Sequence, residues 1–158
     1  MAGRISAPGV RARVRGGVRG LWRRLSWRGL ALATSGVSWI CYGLSITVQP
    51  RYGTVRGISI LLDLMCMTAW GWLWIIAGAV ALAYALVRPG RDLVGVAAAM
   101  APPLLWSAAY AISAASGRSA VAWGSIAPWA SHAVLIAAVA HLTRPRLIIP
   151  AVVAHGAD

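Results

Sequence analysis

Few side chains in this sequence can do chemistry, and most of those sit inside apolar runs. Ser131 and His132 are adjacent, which invites comparison with a serine–histidine pair. Neighbouring helical residues point about 100° apart, so the two cannot pass a proton between them. His132 is deep in an apolar run, and an ionisable group there is a functional candidate by default. A haem or metal site needs a second buried ligand, and His141 lies on the same run near its end. The expectation is a neutral, hydrogen-bonded histidine beside Ser131, with no cofactor and no metal. Asp63 is the only acid near an apolar interior, and a surface pair with Arg56 or Arg51 is expected for it. Cys41 and Cys66 lack metal-ligand spacing and read as free thiols. Only Asp63, Asp92 and Asp158 are acidic, and no nucleotide-binding loop is present, so no enzyme activity is expected.

Two further patterns could act on a ligand or partner. Ser35, Ser38, Tyr42, Ser45 and Gln49 recur at helical spacing as one polar seam. Such a seam either lines a wet face or packs helices together, because small and hydroxyl residues let helices approach and hydrogen-bond in lipid. Ala77, Ala81 and Ala85 repeat every four residues and favour the same close contact. Trp70, Trp72 and Trp74 read as an interfacial belt, where tryptophan collects at the headgroup level.

The elements that must position these residues follow from the apolar runs. They cover Leu30–Val48, Ile58–Val87, Leu93–Ala115 and Val121–Leu142, in a chain of 158 residues that is 59% hydrophobic. Each is long enough for a hydrocarbon core of roughly 30 Å, which takes about 20 helical residues. The expected fold is all-α, an integral membrane four-helix bundle with spans near 30–48, 65–87, 93–115 and 121–142. The second run is longer than one crossing needs. Either it forms one long tilted helix, or Ile58–Ala69 lies at the interface and the crossing begins near Trp70. Pro102-Pro103 removes two backbone donors from the third span and should kink it. Gln49-Pro50, Arg88-Pro89-Gly90-Arg91-Asp92, Ser116–Ser119 and Arg144-Pro145-Arg146 bound the spans. Residues 147–158 form a short tail.

All 15 basic residues are arginine, and the net charge is +12. The absence of Lys, Phe and Asn removes AT-rich codon sets and points to a GC-rich bacterial or phage genome. Eight arginines precede the first span. Val14, Val18, Leu21, Trp22 and Leu25 share one helical face, with Arg15, Arg19 and Arg23 opposite. A basic amphipathic helix of this kind lies in the headgroup plane. Arg11, Arg15, Arg19, Arg23, Arg24 and Arg28, with Trp22 and Trp27, are the expected membrane-surface contacts. The expected partner is a bilayer with anionic headgroups. Nucleic acid is the competing partner, but no fold or aromatic platform for it follows. The segment reads as a retained anchor, since no small-x-small cleavage site follows the first span. With both termini in the cytoplasm, twelve arginines lie inside and three outside, which fixes the expected orientation in the inner membrane.

Small size, several spans, a terminal charge block and no catalytic residues give the chain a general resemblance to phage holins. That resemblance implies self-assembly in the inner membrane as a permeabilising, pore-forming homo-oligomer that releases a lytic enzyme. The alternatives are a scaffold or accessory subunit bound to another membrane protein, and a small-solute transporter. Transporters usually carry intramembrane charge or repeated halves, and neither stands out here.

Overall fold

In hydrocarbon every backbone polar group must find its partner within the protein, so apolar runs of this length fold as helices. The computed structural model describes residues 26–144, and the regular structure among them is helical. Six α-helices follow in order: α1 Trp27–Val48, α2 Tyr52–Gly57, α3 Ser59–Leu62, α4 Met67–Tyr84, α5 Leu93–Ala115 and α6 Trp123–Leu142, the last led by a 3-10 turn at Ala120–Ala122. α1, α4, α5 and α6 are each long and apolar enough to cross a membrane. They pack as a four-helix bundle in which sequential spans are neighbours. Val37, Leu44, Ile76, Leu105, Ile112 and Leu135 are large, apolar and exposed on the outside of these same helices. Helices apolar on both faces need an apolar solvent, and this is the pattern of a membrane protein. The amphipathic segment with Arg11, Arg15, Arg19, Trp22, Arg23 and Arg24, and the tail beyond Arg144, lie outside the described residues.

α1 and α4 make the most extensive contact. Glycine is the cause. A Cβ on Gly36 would lie 2.6 Å from the Gly78 carbonyl oxygen, and one on Gly78 would lie 2.6 Å from that of Gly36. Seven residues along, a Cβ on Gly43 would lie 2.6 Å from the Gly71 oxygen. Two glycines per helix, seven residues apart, thus let the antiparallel backbones touch.

The second apolar run is broken, not one tilted helix. α3 ends at Leu62 and α4 starts at Met67. The loop folds back, so Ile58 and Leu61 join the core instead of lying flat at the surface. Trp70 Nε1 donates to the Leu61 carbonyl at 2.9 Å and ties α3 to the head of α4. This corrects the reading of Trp70 and Trp74 as interfacial belt residues. Both are buried and point into the bundle, while Trp72 is exposed. Two residues of offset along a helix turn the ring by about 200°, so Trp72 faces away from Trp70 and Trp74, which share one face.

The core is aromatic. Trp74 is completely buried, with Trp39 edge-on at 4.8 Å and Trp106 at 5.1 Å between ring centroids. Tyr42 and Trp129 meet edge-on at 5.1 Å. Such T-shaped pairs place a positive ring edge on a negative face. α5 runs unbroken through Pro102 and Pro103. Pro103 has no N–H to give the carbonyl of Ala99, four residues back. Trp39 Nε1 on α1 donates to that carbonyl instead, at 3.0 Å. α5 closes in a Schellman motif: Gly117 takes φ 71°, and the Arg118 N–H reaches the Ser113 carbonyl at 3.0 Å.

Candidate functional site

The bundle has three places where polar groups gather. The first is the end where α1 and α5 begin and α6 finishes. Arg28 Nε is hydrogen-bonded to Asp92 Oδ2, and Arg28 Nη1 donates to the Ala140 carbonyl at 2.8 Å. The Gly90 N–H donates to Asp92 Oδ1 at 3.1 Å. Arg28 is 6% exposed and Asp92 1% exposed. Arg28, expected at the membrane surface, is thus half of a buried ion pair that ties α1 to α5 and α6. The cause is local. Asp92 is the residue just before α5; its Oδ1 accepts from the Gly90 N–H in the preceding turn, and an arginine at the start of another span reaches its Oδ2. Trp27, one residue earlier, is exposed. Because Arg28 touches Ala140, the start of the first span and the end of the last lie on one side of the bundle.

The second place is the seam between α1 and α6. His132 is half-buried, and its Nε2 lies 3.3 Å from the Ser35 hydroxyl. Its ring sits 4.5 Å from that of Trp39. The adjacent Ser131 points away and donates to the Pro128 carbonyl at 3.1 Å on the exposed side. A cleft of about 220 Å³ opens beside His132, with Thr34 and Ser35 on one wall and Leu135, Ile136 and Val139 on the other. No group of three His, Cys, Asp or Glu side chains gathers among the described residues.

The third place is the opposite end. A cavity of about 290 Å³ is lined by Tyr42, Ser45, Arg51, Thr54, Tyr110 and Ser125, among others. Trp106 Nε1 donates to the Tyr42 hydroxyl at 3.1 Å beneath it. Asp63 is at this end too, but its partner is Arg118 at 3.5 Å rather than Arg51 or Arg56. Both members of that pair are exposed, so it contributes little.

The polar seam of α1 is split by the structure. Ser35 is buried and Tyr42 half-buried, both turned inward. Ser38, Ser45 and Gln49 are exposed, as are Thr34 and Cys41. Thr34, Ser38, Cys41 and Ser45 thus form one outward stripe beside the apolar Val37, Leu44 and Val48. Cys41 and Cys66 are free and exposed. An apolar groove of about 610 Å³ also runs down the outside between α4 and α5, past Trp72, Ile76 and Pro102.

Neither a protein-family model, nor a curated protein, nor a solved structure matches this chain. The function has to be argued from its own geometry. Sequence reasoning missed two features of that geometry: Asp92 as the buried partner of Arg28, and the four glycines of the α1–α4 contact. Asp92 carried one signal, as the sole acid next to the start of a span. The glycines carried another, as matched seven-residue spacings at 36/43 and 71/78.

Proposed function

We propose that the chain is a non-enzymatic, multi-pass protein of the bacterial inner membrane, with both termini cytoplasmic, that works by self-association as a holin-like permeabilising assembly. The observation that carries this reading is the exposed stripe of Thr34, Ser38, Cys41 and Ser45 on α1, with Ser38 and Cys41 between the rim of the His132 cleft at Thr34 and the rim of the polar cavity at Ser45. The core of one bundle is filled by indole rings, so an aqueous path must run between copies rather than through one. A hydroxyl on a lipid-facing surface bonds back to its own helix, as Ser131 does, or is served by a neighbouring copy or by water between copies. The non-enzymatic part is supported by the acids: among the described residues both Asp63 and Asp92 are held in ion pairs. Among the described residues, the hydrogen-bond partner at His132 is the Ser35 hydroxyl and not a carboxylate.

The test uses Cys41, which lies on the stripe. In membranes carrying the Cys66→Ala chain, mild oxidation should link two copies through Cys41. Induced expression should collapse the membrane potential and stop growth, and Ser38→Leu with Ser45→Leu should delay both. Harmless expression of an uncrosslinked monomer that co-purifies with a second membrane protein would overturn the reading in favour of a scaffold. Substrate-dependent flux without leakage would overturn it in favour of a transporter.

A further inference from the structure

The end of the bundle that holds the Arg28–Asp92 pair also holds a cavity of about 400 Å³. Its rim is basic: Arg28, His141 and Arg144 line it. Its inner wall is apolar, built from Val96 and Met100 of α5 and Ala137 of α6. We propose that this cavity binds the phosphate of an anionic phospholipid, with an acyl chain running along Val96, Met100 and Ala137.

Three observations support it. First, the charges are arranged for an anion. Both Asp92 oxygens are already occupied, by Arg28 Nε and by the Gly90 N–H. Arg28 spends Nε on Asp92 and Nη1 on Ala140, and it lines the cavity. Arg144 adds a full positive charge with no acid in the lining to offset it. Second, the Arg28 side of the rim is fixed in place. Arg28 is locked between three helices, so little side-chain freedom is lost when a ligand arrives. Third, the cavity stands where a headgroup would be. It lies at the start of α5 and the end of α6, at the level where the spans leave the hydrocarbon, and basic pockets between spans at that level recognise phosphate headgroups. The inference is independent of the self-association reading and survives its failure.

The experiment measures thermal unfolding of the purified full chain in neutral detergent, with native mass spectrometry to count bound lipid. Phosphatidylglycerol is added at saturation, against phosphatidylcholine and against inorganic phosphate at the same concentration. Phosphatidylglycerol should raise the midpoint by about 5–10 °C and stay bound, while the other two should not. Arg144→Gln removes the exposed rim charge, and Ala137→Leu fills the apolar wall without touching charge. Each should halve the shift or more. The N-terminal arginines are the same in every variant, so the loss reads the cavity alone. An equal shift with phosphatidylcholine would overturn the proposal. So would an equal shift with inorganic phosphate, or a phosphatidylglycerol shift unchanged in both variants.

Discussion

Arg28 and Asp92 are 64 residues apart in sequence and in contact at one end of the bundle. A buried pair is weak evidence of net stability, but breaking one leaves the partner charge stranded. Asp92→Asn or Arg28→Met should each destabilise the protein by about 3–5 kcal/mol, read as unfolding in detergent. The double variant Arg28→Met with Asp92→Leu should lose less than either single change, since no charge is then left alone. Greater loss in the double variant would show that Arg28 acts through Ala140 or packing instead. Trp39→Phe tests a second residue-scale account. It keeps an aromatic ring but removes the donor that serves the Ala99 carbonyl, and should cost about 1–3 kcal/mol. Neither arrangement was legible beforehand. The proline pair announced two missing donors, but not which helix would supply a substitute. The Arg28 position read as one more member of a basic block, because its burial depends on where α5 begins beside it.

At the scale of elements, α1 and α4 are held by what their glycines leave out. Gly36→Ala should force the backbones apart and destabilise the bundle by roughly 1–3 kcal/mol. Gly124→Ala is the control, since a Cβ there meets nothing within 4 Å. It should be neutral or stabilising by up to about 1 kcal/mol, from helix propensity alone. Equal effects of the two on the unfolding midpoint would contradict the close-contact account. The helices themselves were legible, because a span in hydrocarbon has to be apolar for its whole length and the runs show it. The apolar run Leu93–Ala115 and the helix α5 have the same bounds. The break between α3 and α4 was an open alternative in the sequence, since Asp63–Cys66 carries no proline or glycine to mark it. The tryptophans were misread for a different reason. Interfacial and core tryptophans look alike until the facing helices are known, and here Trp106 and Trp39 surround Trp74.

At the scale of the whole molecule, four antiparallel spans alternate the loops between two sides. The loop holding Cys66 lies at one end, and the Arg88–Asp92 turn lies at the other with Arg28 and Ala140. In the orientation we propose, the second of these ends faces the cytoplasm. The overall class was readable from composition, whereas function was not, because association surfaces are set by which residues the bundle leaves outside. The most direct test labels thiols with a membrane-impermeant maleimide in sealed spheroplasts, in a Cys41→Ala background. Cys66, free and exposed, should react from outside. After Cys66→Ala with Arg88→Cys, labelling should appear only once the membrane is broken. Labelling of both positions at the same rate in sealed spheroplasts would contradict the four-span bundle.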